Sequence, residues 1–219
     1  MILPQSRPEG SPMTLPRRTL LVAPLALVPA LAWAADDPRM ADRAVGAATA
    51  PVTVQEYFSL TCPHCARFAK DTLPQIRKDL IDTGKLRWVY EDFPLDQVAL
   101  MAAMVARALP PARYEPFVLA LLASQDRWAF ARDVNNTEEI ARMAALAGMS
   151  RQSFDATIQD TSLRDAILTA QDQAEKAHHV NSTPTFIFNG PAQKNRAESG
   201  EMTYDAFAKV VAEVGGTSG

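Results

Sequence analysis

The sequence is poor in cysteine, in histidine and in concentrated charge of either sign. Of 219 residues, two are cysteine and three histidine, and 22 Lys and Arg stand against 25 Asp and Glu for a formal charge of -3. Two cysteines separated by two residues cannot staple a small secreted scaffold, and with so few histidines they leave little room for a structural zinc site. Without a basic run there is no surface to neutralise phosphates, which excludes a nucleic-acid binder held by bulk electrostatics. No apolar run reaches the roughly 20 residues that a membrane-spanning helix needs. The longest, Leu20 to Ala34, is 15 residues and is broken by Pro24 and Pro29. What is present is a hydrophobic content of 47%, enough at this length to bury a sizeable core.

The first 35 residues hold six of the 16 prolines. Arg17-Arg18, the apolar stretch and the small-residue triplet Ala32-Trp33-Ala34 follow one another in the order of a cleavable export signal. Residues 1–34 are therefore expected to be a signal peptide, with Met13 as a possible start, and Sec and twin-arginine routes both remain open. An N-terminal anchor that stays attached is the alternative. Cleavage after Ala34 leaves 185 residues of charge -5. Export to the periplasm moves the cysteines out of a reducing compartment, which brings disulfide chemistry forward.

Residues 35–50 are small, charged and irregular, and predict a flexible lead-in. Val52 to Ser59 is β-branched and aromatic and predicts a strand. Beyond Cys62-Pro63-His64-Cys65, the residues Phe68, Leu73, Ile76 and Leu80 form a helical stripe that Pro74 should kink. Leu86 to Phe93 predicts a second strand. From about 95 to 180 the pattern is helical, with Thr137 and Ser150 as candidate caps. Thr185 to Asn189 returns to strand character, Asn189-Gly190 offers a turn, residues 191–200 suggest an edge strand and loop, and Tyr204 to Val214 predicts an amphipathic helix. The expected class is α/β, with an inserted helical subdomain between the two halves of the sheet.

A Cys-x-x-Cys that follows a strand and opens a helix is a redox arrangement. Cys62 would meet the unpaired N–H groups and positive dipole end of the helix, which favour its thiolate. Stabilising the reduced, ionised form makes the disulfide form a stronger oxidant. Cys65, one turn on and facing inward, would be the resolving thiol. His64 beside Cys62 can donate to the thiolate or stabilise it by charge. Pro63 suits the first helical turn, where its missing N–H costs nothing. A fixed structural disulfide or half of a zinc site are the alternatives. The bridge would close too short a loop to stabilise much, and only His178 and His179 remain as distant ligands.

The run Glu56 to Cys65, the distant Thr183-Pro184-Thr185-Phe186 and the helical block between them resemble an exported DsbA-family thiol oxidoreductase of thioredoxin-like fold. The resemblance covers nearly all of the mature chain. It implies that Pro184 is cis and packs on the active-site disulfide, and that the backbone of Thr183 pairs with an extended substrate peptide; a trans proline opening a strand is the alternative. It also implies that Glu56, a charge inside an apolar strand, lies beneath the cysteines and relays protons to Cys65. An exposed edge carboxylate is the other reading, and Leu86 to Asp92 lacks the lysine that the best-known members would set opposite Glu56. The family implies reduced exported proteins as substrates and a membrane quinone-linked reoxidant, with no bound cofactor or metal and no nucleic acid.

The expected function is donation of the Cys62-Cys65 disulfide through a mixed disulfide at Cys62, by a monomer. A disulfide isomerase or reductase is the first rival. It is disfavoured because only about 15 residues lie between the expected cleavage site and the first strand, too few for the separate dimerisation region such proteins carry. A periplasmic chaperone or binding module with incidental cysteines is the second. Trp128, Phe130, Met101 and Met104 read as core or groove lining, and His178-His179 as histidines at a helix end.

Overall fold

The computed structural model describes residues 37–216. The expected signal peptide and the alternative start at Met13 lie outside the described residues. Five strands, β1 (Arg43–Val45), β2 (Val52–Phe58), β3 (Leu86–Asp92), β4 (Thr185–Asn189) and β5 (Arg196–Ser199), form one sheet in the order β1-β3-β2-β4-β5. Only the central pair β2 and β3 runs parallel. The three other pairings are antiparallel. Helices α1 (Pro63–Asp71) and α2 (Leu73–Ile76) connect β2 to β3, and α9 (Tyr204–Gly215) ends the chain. Between β3 and β4 stand α3 (Gln97–Ala108), α4 (Pro111–Leu122), α5 (Gln125–Trp128), α6 (Asn136–Leu146), α7 (Arg151–Ile158) and α8 (Thr161–His178). The helical insertion is therefore where the sequence places it.

Register decides which side chains meet. Glu56 pairs with Tyr90 on one side and Phe186 on the other, and Val54 with Trp88 and Phe188. Side chains alternate along a strand, so Val54, Glu56, Phe58, Trp88, Tyr90, Phe186 and Phe188 share one face. Phe68 of α1 and Phe207 of α9 close over it. Phe68 stacks on Trp88 at 6.0 Å between ring centres, and Phe207 lies 4.9 Å from Phe188. The opposite face carries a smaller cluster of Tyr57, Phe93, Ala174, Val180 and Ile187 under α8.

Several sequence-based expectations change. Residues 35–50 do not form a flexible lead-in throughout: Pro38–Met40 make a 3-10 turn and Arg43–Val45 pair with Tyr90–Trp88 as an edge strand. The reason is a buried arginine, which no apolar pattern announces. Arg43 donates to the carbonyl of Arg107 at 3.0 Å and lies over the Tyr114 ring, with Arg107, itself ion-paired to buried Asp92, over the same ring. Pro74 does not kink a continuous helix. α1 ends at Asp71 and Pro74 occupies the first turn of α2, where no N–H is needed, and the chain continues as a π turn over Arg77–Ile81. Gly190 serves close approach: a Cβ there would stand 2.1 Å from the Val214 carbonyl oxygen at the end of α9.

The cap of α6 also lies two residues before the expected Thr137. Asn135, not Thr137, accepts from the Thr137 and Glu138 N–H groups. Asn135→Ala is expected to cost about 1 kcal/mol, read by urea denaturation, while Thr137→Ala leaves that cap intact.

Candidate active site

The site forms where β2 stops. Phe58 ends the strand, Cys62 N–H closes a turn onto the Ser59 carbonyl at 3.1 Å, and α1 begins at Pro63 with Cys62 as its preceding residue in extended conformation. Proline at the first position suits this start because it fixes φ and has no N–H to leave unpaired. Cys65 is then the third residue of α1 and faces the core. It is fully buried, and Cys62 is 4% exposed; neither is bridged.

The two thiols sit in opposite electrostatic surroundings. Cys62 is lowered from 9.0 to about 5, first because the Cys65 thiol donates to it, then through the Thr183 side chain and the N–H groups of Cys65 and His64, all working against burial. Cys65 is pushed well above the ordinary thiol value by burial, by that same hydrogen bond to Cys62, and by the nearby charges of Glu56 and Cys62. A donor to a thiolate favours it, and a thiol that must give up its proton while already donating it is disfavoured. The pair therefore titrates as one unit with a single thiolate shared toward Cys62.

The chain returns to this point 121 residues later. The Cys62 thiol meets the Thr183 carbonyl oxygen at 3.3 Å, and the Thr183–Pro184 peptide bond is cis. The Thr183 hydroxyl is buried with no other partner, which leaves it free to favour the Cys62 thiolate. Pro184 is held by its own carbonyl, which accepts from Gly200 N–H at 2.8 Å.

Glu56 lies in the apolar face rather than at an exposed edge. It is 3% exposed, and burial raises its carboxyl to about 8, helped by the charge of Cys62. The Trp88 indole N–H, buried without a partner in hydrogen-bond geometry, is close enough to offset a little of that rise. The position opposite Glu56 on β3 is Tyr90, so no lysine pairs with it there.

His64 takes a different role from the one its position suggests. Its ring is 61% exposed and turned outward, with Nδ1 2.9 Å from Glu201, and Arg67 joins the same cluster at 2.9 Å from that carboxylate. What His64 gives Cys62 is its main-chain N–H. His178 stands 6.3 Å from the Tyr57 ring, and among the described residues no three His, Cys, Asp or Glu side chains gather in metal-binding geometry.

A family model described as Thioredoxin matches residues 39–212. The crystal structure of Wolbachia pipientis alpha-DsbA1 superposes with a TM-score of 0.73 at 29% identity, over 81% of this chain and 92% of that one. The chain belongs to the DsbA branch of the thioredoxin family. A Rickettsia typhi relative of this DsbA-family chain, named "Putative protein-disulfide oxidoreductase", is 29% identical over 70% of the chain and 57% of its own length. The "Thiol:disulfide interchange protein DsbA" of Pectobacterium carotovorum is 25% identical over 76% of the chain and 80% of its own length. The chain spans less than two thirds of the Rickettsia relatives it matches.

Sequence reasoning missed the residues that hold the turn rather than react in it. Thr61, Asp96 and Gln125 carry no motif signal, because their function depends on where three distant segments meet. Glu201 could be found only by knowing that β5 returns beside α1.

Proposed function

We propose that this chain is a thiol:disulfide oxidoreductase that donates a Cys62-Cys65 disulfide to reduced exported proteins in the periplasm. The observation that carries the reading is the split between two neighbouring thiols, one lowered to about 5 and the other raised. A substrate thiolate attacks Sγ of Cys62. The Cys62–Cys65 bond breaks, and Cys65 leaves with the electron pair and takes up a proton. Glu56 still holds a proton at neutral pH and lies beneath Cys65 as its source. A second substrate thiolate then attacks the first substrate sulfur, and Cys62 departs as a stabilised thiolate. Two electrons have passed from the substrate dithiol to the enzyme, and a separate acceptor, for which the family suggests a membrane quinone-linked partner, must remove them.

The direction follows from the ionisation. At pH 7 a thiol at about 5 is almost wholly ionised, whereas one at 9.0 is about one-hundredth ionised, so the reduced form gains roughly 3 kcal/mol over an unperturbed dithiol. Stabilising the dithiol by that amount raises the couple's potential by about 60 mV. This favours the oxidase over an isomerase or reductase. Pro184 and the Thr183 backbone would align an extended peptide across Cys62, and the protein works as a monomer.

Ultraviolet titration of the thiolate in the reduced protein tests this directly. Absorbance from Cys62 should appear with a midpoint near 5, and the second thiol should stay protonated past pH 9. A first midpoint near that of free cysteine refutes the oxidase reading.

A further inference from the structure

Gln125 stands at the start of α5, inside the helical insertion and far from the cysteines in sequence, yet it is 6% exposed and aimed at the turn that carries them. Its side-chain nitrogen donates to the Leu60 carbonyl at 2.8 Å and to the Cys62 carbonyl at 3.0 Å. These two carbonyls bracket the nucleophile along the chain. The Cys62 carbonyl is also the first acceptor of α1, receiving Ala66 N–H at 3.2 Å. The Leu60 carbonyl precedes the helix and takes no helical N–H, so the glutamine supplies a donor that the helix does not. The residue between them is tied separately: Thr61 Oγ1 donates to Asp96 Oδ2 at 2.6 Å, and the other oxygen of Asp96 caps α3 through Ala99 N–H at 2.8 Å. The insertion thus grips Leu60, Thr61 and Cys62 in succession.

We propose that Gln125 is a positioning residue of the thiol site, holding the Leu60 and Cys62 carbonyls so that the Cys62 sulfur stays against the first-turn N–H groups and the couple stays strongly oxidising. Two physical effects act together. The first-turn N–H groups of His64 and Cys65 approach the Cys62 sulfur without closing a side-chain cap bond, so they do not by themselves fix its φ of -81° and ψ of 118°, and the grip on its backbone matters. Release of the Leu60 carbonyl would leave a buried acceptor without a donor, and the turn would open to hydrate it. The amide hydrogens also neutralise the negative ends of two carbonyl dipoles close to a thiolate, which a side chain of the same shape without donors cannot do. Only an amide gives both hydrogens from one nitrogen at this length; a carboxylate would add an acceptor where two already converge.

The inference rests on Cys62 being the ionised nucleophile. Gln125→Met keeps the length and packing of the side chain and removes both donors. The thiolate titration should move upward in this variant, and its equilibrium with glutathione should shift about three- to tenfold toward the oxidised protein, making it a weaker oxidant. A variant that melts earlier but leaves both quantities at the wild-type values shows a merely structural role and overturns the inference, while the low wild-type value preserves the proposed function. A wild-type midpoint near free cysteine would instead sink the proposed function itself. Should the methionine variant not fold, the side-chain amide protons of Gln125 in the isotope-labelled wild type decide. They should exchange slowly and shift on reduction; exchange as fast as an exposed glutamine's overturns the inference.

Discussion

Cys62→Ala is expected to abolish disulfide exchange and thiol alkylation together, whereas Cys65→Ala is expected to trap a mixed disulfide on Cys62. The two cysteines are three positions apart in sequence and differ in almost everything that sets reactivity. The nucleophile is the thiolate, and at neutral pH Cys62 holds that charge while Cys65 is buried and pushed the other way. In Cys62→Ala the remaining thiol has no exposure and no thiolate, so reaction with iodoacetamide should fall by about two orders of magnitude relative to the wild type. In reduced Cys65→Ala, Cys62 can still attack a peptide carrying one mixed disulfide with glutathione, expelling the glutathione thiol. No internal thiol then resolves the adduct, and it should accumulate to stoichiometry by mass spectrometry. The same variant removes the largest single support of the Cys62 thiolate, so its titration midpoint should rise while staying below 9. Equal alkylation of the two single-cysteine variants would contradict the assignment of roles.

Legibility in the sequence follows the range over which each signal acts. β2, the Cys-Pro-His-Cys start of α1, β4 and α9 were all readable because alternation, proline at a first turn and a helical stripe are local properties. The position of Thr183-Pro184 against Cys62 was readable only by resemblance, since nothing in the 120 intervening residues states that the chain returns. Arg43 shows the limit from the other side. A charged residue in a short polar segment reads as loop, and it becomes an edge strand because Arg107, Asp92 and Tyr114 are assembled from three other elements to receive it. His64 was placed correctly and its ring misdirected: spacing fixes the backbone beside Cys62, but side-chain direction depends on Glu201 and Arg67. Asp96 and Gln125 had no signal at all, being ordinary helix-start residues until the insertion folds over the turn.

Glu56→Gln is expected to flatten the pH dependence of stability in the oxidised protein and to stabilise it at alkaline pH, where the buried carboxyl of the wild type must ionise. In the dithiol form this carboxyl rises on folding from 4.5 to about 8, and burial, the largest cause, keeps it raised in the disulfide form, so it binds more protons in the native state than in the unfolded chain over the intervening range. Its contribution is therefore complete below 4.5 and is lost progressively as pH rises through about 8. Cys62 in the reduced protein has the opposite sign. Its value falls on folding from 9.0 to about 5, so its contribution is present above 9 and is lost as pH falls through 5. In the dithiol form the two slopes oppose one another between pH 5 and 8, and stability should vary little there. In the disulfide form Cys62 has no proton to release, and the Glu56 slope stands alone. Urea denaturation of both redox forms from pH 4.5 to 9 separates these cases: the oxidised wild type should weaken across the range, oxidised Glu56→Gln should not, and the reduced wild type should stay nearly level. An oxidised wild type with no slope would place the Glu56 carboxyl near its ordinary value and remove it as a proton donor to Cys65. The opposition also has a functional consequence, because the gap in stability between reduced and oxidised forms is what drives the disulfide outward. Glu56 is present in both forms, so its burial cost alone does not move the couple; its charge does, because an ionised Glu56 repels the Cys62 thiolate that only the reduced form carries. The couple is therefore most oxidising while Glu56 keeps its proton, and ionisation of the carboxyl at alkaline pH works against the thiolate at the helix start.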